Sequence, residues 1–369
     1  MIFNPNSSGS MQKCDRLAFR VCLVWVLLML LAPLVSPSAS AQVSTIRYGQ
    51  GVPSGVRLVS ERGLRYIADT QLEDGSWSGS QNGSGVIGIC VMAMMSSGED
   101  PDFGPFSTQI RKALRNIILY QDPLTGFCTG SGHGSMYHHG FAMLALSEAY
   151  GVVNERLLWQ GSDTPVEKRR TIGQALELAV RCALTAQKKN PYKAWRYSPD
   201  STDADTTVSG TVLMGLLGAR NAGIEIPNEA IDNALAFFQA NTMRDGNVSY
   251  QLAKSHGSGI TRTAIATLVY AIGKRKDTAE YKAASASIKN RMDQDVTDYP
   301  FYYRYYMAQA LFQSDLEAWK SWNQRTLDRL QKIQHDDGSF SSPHGRAYGT
   351  GMAVLTLALN YRLLPVYER

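Results

Sequence analysis

Residues 62–77 read Arg-Gly-Leu-Arg-Tyr-Ile-Ala-Asp-Thr-Gln-Leu-Glu-Asp-Gly-Ser-Trp. Near the C-terminus Arg325, Leu330, Gln334, Gly338 and Phe340 repeat Arg62, Ile67, Gln71, Gly75 and Trp77, each 263 positions on. An Arg, an aliphatic, a Gln, a Gly and an aromatic at one shared offset mark two copies of one structural unit. Weaker copies fill the interval. Gln121 precedes Gly126-Phe127, Gln187 precedes a longer loop ending in Trp195, and Phe237-Phe238 with Gly246 stand in the register of Tyr66-Ile67 and Gly75. A fifth copy between Tyr281 and Tyr306 lacks the loop motif and is placed by spacing. The intervals average about 53 residues, near the period of paired-helix repeats.

Each unit reads as a helix, a Gly- and aromatic-containing loop, and a second helix. The second helices run Val86 to Met95, His139 to Tyr150, Val208 to Ala219, Thr261 to Ile272, Tyr305 to Phe312 and Tyr348 to Leu359. They are apolar nearly all round, which a helix tolerates only when covered on most sides. The first helices, such as Ile172 to Ala186 and Pro227 to Ala240, keep a charged face for solvent. Six inner and six outer helices predict an all-α fold, an α/α-toroid (α6/α6 barrel), in which closure removes the need for capping repeats. In the loops, Gly permits positive φ, the aromatic plugs the junction between pairs, and Gln is placed to bond unpaired backbone groups at the helix end.

Chain length agrees once the start is set aside. A chain of 369 residues carries a prior of about two domains. However, Lys13, Arg16 and Arg20 precede an apolar run from Val21 to Val35, and Ala39-Ser40-Ala41 offers a cleavage site. Residues 1–41 therefore read as a signal peptide, with Met11 as an alternative start, 42–50 as a linker and 51–369 as one toroid. The expected location is periplasmic or extracellular, with membrane contact only if residues 21–35 are retained as an anchor; the run is short for a permanent span, which takes about 20 residues. Removing the leader leaves 34 basic and 31 acidic residues, too even a balance to argue for nucleic acid. Cys90, Cys128 and Cys182 remain, an odd number in largely apolar surroundings, and read as small buried hydrophobes.

Arg62 to Trp77 resembles the Gln-Trp motif of squalene and oxidosqualene cyclases, and the last copy matches with Phe340 for Trp. The resemblance covers roughly residues 50 to 365. It implies the toroid shared by squalene cyclases, class II terpene cyclases and protein prenyltransferase β subunits. The motif belongs to the scaffold, so it bears on fold more than on activity. In class II cyclases the chemistry lies in an Asp-x-Asp-Asp segment whose middle Asp protonates an alkene or epoxide. Here Asp203-Ala204-Asp205-Thr206-Thr207 precedes the third inner helix, with Thr206 in place of the final Asp, similar to a variant of some drimane-type cyclases. By that resemblance Asp205 is the acid, with Asp203, Thr206 or Thr207 as its support. The same residues also read as a helix cap, since Asp oxygens accept bonds from free N–H groups of a first turn. The chain is long enough for one toroid, whereas a squalene cyclase encloses its substrate between two. The zinc ligands of prenyltransferases have no equivalent.

A binding site is expected where the inner helices start. Trp195, Tyr197, His138, His139, Arg262, Tyr303, Arg304 and Tyr348 would share one rim and line a central cup. Aromatics and Arg suit an apolar or sugar-like small molecule or a protein segment. His133, His138, His139, His335 and His344 offer no i, i+4 pair, so neither a metal nor a cofactor is expected. Three functions remain open: an exported toroid that binds a ligand or partner in its cup, a class II terpene cyclase-type enzyme acting through Asp205, and a glycan-active toroid using two of Asp203, Asp205 and Glu148.

Overall fold

The inner helices contain so few polar residues that only mutual packing can shelter them, and this requirement organises the molecule. The computed structural model describes residues 51–79, 83–130, 135–252 and 259–361; the expected leader and linker, and His133, lie outside them. The first three helix pairs are α1 (Ser54–Asp69) with α2 (Ser84–Met95), α3 (Ser107–Tyr120) with α4 (Ser135–Ala149), and α6 (Ile172–Lys189) with α7 (Thr206–Asn221). A short helix α5 (Glu155–Leu158) lies in the connection between the second and third pairs. The last three are α8 (Asn228–Asn241) with α9 (Ile260–Ile272), α10 (Ala279–Asn290) with α11 (Pro300–Ser314), and α12 (Leu316–Ile333) with α13 (Arg346–Leu357). No strand occurs among the described residues, where only isolated bridges are found.

Each inner helix packs against two others in the closed order α2, α4, α7, α9, α11, α13 and back to α2. Each outer helix leans chiefly on the inner helix that precedes it, and α1 leans on α13, so the first repeat closes onto the last. Every residue of α2 is buried. On α1 only Val56, Val59, Ser60, Gly63, Leu64 and Ile67 are buried, a stripe at three- and four-residue spacing. The structure is thus the α/α-toroid that the repeats predict. The fifth inner helix differs in extent: it starts at Pro300, five residues ahead of the expected Tyr305, because proline suits a first helical turn. Between α4 and α7 small residues bring the backbones together. A Cβ on Gly140 would meet the Thr211 backbone at 2.8 Å.

The loop motif has the same geometry in four repeats. The amide Nε2 of Gln71 donates to the carbonyls of Gly75 (3.1 Å) and Gln109 (2.9 Å). Gln121 donates to Gly126 (3.0 Å) and Ala175 (2.9 Å), Gln187 to Lys193 (3.0 Å) and Ala230 (2.7 Å), and Gln334 to Gly338 (2.9 Å) and Val59 (3.0 Å). Gln bonds backbone carbonyls in its own loop and in the next outer helix, and so ties its loop to that helix around the ring. The motif glycine is required for a second reason besides positive φ. At Gly126 (φ +76°) a Cβ would sit 2.1 Å from the Leu178 carbonyl oxygen. Trp77 and Trp195 are buried plugs whose indole N–H groups reach the carbonyls of Ile67 and Ala183, both at 2.8 Å. Cys90, Cys128 and Cys182 are free, and burial pushes their thiols up, Cys128 to about 12 and Cys182 to about 11.

Candidate functional site

The segment from Trp195 to Val208 turns from the third loop into α7, and Asp205 stands at its corner. The Asp205 N–H donates to the Trp195 carbonyl (3.1 Å) and Thr206 N–H to the Tyr250 carbonyl (3.0 Å), which pins the corner between two loops. Asp205 is fully buried. Its Oδ1 accepts from the N–H of Thr207 (2.9 Å), the N–H of Val208 (2.8 Å) and the Thr207 hydroxyl (2.6 Å), so the carboxylate caps α7. Its Oδ2 makes no hydrogen bond and lies 3.8 Å from Nε of Arg196. Burial raises the pKa of Asp205 above the usual carboxylate range, against the lowering effect of these hydrogen bonds and of Arg196.

Arg196 is the hub of the surrounding cluster. Its guanidinium pairs with Asp203, lies 4.8 Å from the ring centre of Tyr197 and 5.6 Å from that of Tyr250. The two phenols share a hydrogen bond of 2.6 Å, and Arg262 stands 5.9 Å from the Tyr250 ring while its Nε donates to the Val248 carbonyl. Gln251 donates to Asp203 at 3.3 Å. Arg196, Tyr197, Asp203, Tyr250 and Arg262 are all half-buried, so the cluster opens to solvent at the ends of α7 and α9.

Below this mouth the ring is filled. Tyr137 and Phe141 on α4 meet Tyr302 on α11 edge-on at 6.1 and 6.5 Å between ring centres, and Phe141 also meets Tyr305 at 6.0 Å. Helices α4 and α11 stand opposite each other in the ring order, so these contacts cross the lumen. Thr211 on α7 bonds the hydroxyls of Tyr302 (2.9 Å) and Tyr306 (3.0 Å), and Tyr137 bonds the Thr207 hydroxyl at 2.6 Å. Because the Thr207 hydroxyl donates to Asp205, it accepts from Tyr137, and the polar chain runs from the cap into the aromatic plug. Burial raises the phenols of Tyr137 and Tyr302 well above their ordinary range, which keeps them neutral.

The expected rim residues therefore divide. Tyr197 and Arg262 come together at the mouth with Asp203 and Asp205. Trp195 does not line a cup but plugs a helix junction. His138 is buried, its Nδ1 accepting the Gly85 N–H at 3.2 Å. His139 takes the Cys128 N–H on Nδ1 (3.1 Å) and donates from Nε2 to the Ala179 carbonyl (3.0 Å), and burial pushes its pKa down to about 4. Tyr303 meets Trp322 of α12, and Arg304 lies near Arg329 of α12, so both face the outer layer. Tyr348 is half-buried, its ring edge-on to His344 at 5.2 Å between ring centres. Glu148 is correctly an inner-helix carboxylate but belongs to the other end of α4. Tyr137 is level with Thr207, and eleven residues at the helical rise put Glu148 about 16 Å further along the axis. Paired glycosidase carboxylates stand about 5–9.5 Å apart, so Glu148 does not form such a pair with Asp203 or Asp205. Tyr250 and Arg196 escaped the sequence reading. Tyr250 stands two residues past Val248 as Tyr197 stands two past Trp195, and that register was the available signal.

No family model matches the chain, and no curated protein matches it by sequence. Among solved structures it is similar to the type II terpene cyclase MstE from Scytonema. An Asp-to-Asn variant of that enzyme, in complex with its substrate geranylgeranyl dihydroxybenzoate, gives a TM-score of 0.54 at 14% identity, covering 84% of this chain and 98% of that chain. An Arg-to-Ala variant in complex with the same substrate gives 0.52 at 15% identity with the same coverage. The ring of helix pairs, its stapling Gln residues and this likeness together show the α/α-toroid fold, the fold in which those terpene cyclase structures resemble this chain.

Proposed function

We propose that the protein is an exported toroid that binds a ligand at the mouth formed by Arg196, Tyr197, Tyr250 and Arg262, and that Asp205 serves this mouth as a structural carboxylate. The observation that carries this reading is the engagement of Asp205. A carboxylic acid that protonates an alkene needs a free O–H aimed into a dry chamber beside the substrate. Here one oxygen takes three donors from the first turn of α7, the other lies beside Arg196, and aromatic rings from opposite helices meet across the lumen below. Two cations interleaved with phenol rings, with Asp203 at the edge, suit a sugar-like ring, an apolar polycycle or a protein segment carrying aromatic or acidic groups.

A second reading, cyclase-type chemistry through Asp205, draws support from the likeness to an enzyme that takes an isoprenoid-bearing substrate, and from the burial that raises the pKa of Asp205. One experiment separates the two. Purified protein and its Asp205→Asn variant are incubated with squalene and with geranylgeranyl-bearing phenolic acids, and products are resolved by mass spectrometry. The binding reading expects no cyclised product from either protein. Cyclisation by the wild type that vanishes in Asp205→Asn would replace it with the cyclase.

A further inference from the structure

Helix α6 carries a second stripe outside the one it buries. Gln174, Leu178, Arg181, Thr185 and Lys188 follow at alternating four- and three-residue spacing, so they share one outward side of the helix. Two open cavities adjoin along that side. One, of about 440 Å³, is bordered by Arg169, Arg170, Gln174, Glu177, Leu178 and Arg181. The other, of about 420 Å³, shares Glu177 and Arg181 and continues to Leu184, Lys188, Ile224 and Glu225. The cations at the start of this groove are held in place by uncharged acceptors. Arg169 donates from Nε to the Thr164 carbonyl (2.8 Å) and from Nη2 to the Ser162 carbonyl (3.0 Å). Arg170 donates to Oε1 of Gln121 (2.9 Å) and to the carbonyls of Gln121 (3.1 Å) and Ile118. Among the described residues, neither these two arginines nor Arg181, Lys188, Glu177 and Glu225 take part in an ion pair. Asp122, whose charge reaches Arg170 from beyond ion-pair distance, bonds the amides of Leu124 (2.9 Å) and Thr125 (2.7 Å) instead.

The two ends of the groove ask for different chemistry. At the first, Arg169, Arg170 and Arg181 outweigh Glu177, and guanidiniums fixed in advance lose little freedom when they take a carboxylate. At the second, Arg181 and Lys188 balance Glu177 and Glu225, while the half-buried side chains of Leu184 and Ile224 offer apolar contact. We propose that this side of α6 is a docking groove for an extended segment of a partner protein, acidic at the end that meets Arg169 and Arg170 and bulky and apolar at the end that meets Leu184 and Ile224. A polyanion of uniform charge would satisfy the first end only, whereas a polypeptide varies its side chains along its length. From Gln174 to Lys188 the helix rises about 21 Å, which an extended chain covers in about six residues. The groove shares no residue with the mouth at Arg196 and does not depend on the reading of that mouth.

The test pans a display library of random peptides, each of about ten residues and so longer than the groove, against the full chain. Recovered peptides are expected to carry Asp or Glu at one end and Leu, Phe or Met at the other. As labelled synthetic peptides they are then titrated by fluorescence anisotropy against the wild type and two variants. Arg181 is exposed, so Arg181→Glu is expected to keep the Tm of the wild type while raising Kd at least about tenfold, because it sets like charges against each other. Leu184→Gln is expected to weaken the same peptides through their apolar end, and added salt through their acidic end. Heparin fragments and vesicles of anionic phospholipid are titrated in parallel. Binding of either that depends on Arg181, with no acidic and apolar pattern among the peptides, would make a plain polyanion the occupant and overturn the proposal. So would a library that yields no enriched pattern, affinities that neither variant changes, or peptides lost with Arg262→Ala but kept by Arg181→Glu, which would belong to the mouth.

Discussion

At the scale of single residues, two buried ionisable groups make the pH dependence of stability predictable. His139 has both ring nitrogens committed to backbone groups, and its pKa is pushed down to about 4. A group whose folded pKa is depressed contributes stability above its unfolded pKa, near 6.5 for His, and loses it as pH falls through the folded value. Relative to His139→Gln, the wild type is expected to lose about 3 kcal/mol between pH 6.5 and 4, read from denaturant midpoints; parallel profiles for the two proteins would contradict the burial of a neutral imidazole. Asp205 works with the opposite sign, because its folded pKa is raised. Its contribution is complete below about pH 3.9 and is lost as pH rises through the folded value. Asn is an equally good cap, so the stability of wild type minus that of Asp205→Asn should fall as pH rises from acid toward neutrality; Asp205→Ala should follow the same slope while lying about 1–2 kcal/mol below Asp205→Asn at every pH.

Among the elements, the Gln of the loop motif staples four of the six hairpins to the next outer helix around the ring. Gln121 reaches the Gly126 carbonyl in its own loop and the Ala175 carbonyl in the next outer helix, and it is buried. Replacing it with Ala removes both bonds between loop and helix and leaves the buried Gly126 carbonyl without its side-chain donor, which should cost about 1–3 kcal/mol, measured by chemical denaturation. Gly126→Ala should cost more, since the added methyl meets backbone at 2.1 Å and cannot be relieved by a rotamer change. If Gly126→Ala proves neutral, the close approach of loop and α6 is wrong.

For the whole molecule, closure and filling are the two properties that matter. Closure joins the first repeat to the last: Gln334 donates to Val59, Arg62 donates to the His335 carbonyl at 2.7 Å, and α1 covers α13. Deleting residues 54–69 is therefore expected to broaden the calorimetric transition and lower its midpoint, and an unchanged single transition would argue against a closed ring. Filling rests on Tyr302, whose ring meets α4 and whose hydroxyl bonds Thr211. Tyr302→Ala should lose about 3–5 kcal/mol and open a cavity that takes up benzene, detectable as a ligand-dependent rise in Tm. Much of this architecture was legible in the chain. The offset between Arg62–Trp77 and Arg325–Phe340 carried the repeat, and the all-apolar second helices carried the inner layer, because periodicity and burial are written residue by residue. The capping alternative for Asp205 was legible too, since a cap is a bond between neighbours in sequence. What only the tertiary structure decided was which rim residues meet. Tyr303 and Arg304 sit beside Tyr302, yet they turn to the outer layer while Tyr302 turns inward, because successive helical residues lie about 100° apart and the rotation of α11 in the ring selects the face. The lumen was decided at the same level. Whether inward aromatics line a cup or close it depends on how far apart α4 and α11 stand, a distance set by the packing of all six inner helices and by no stretch of sequence.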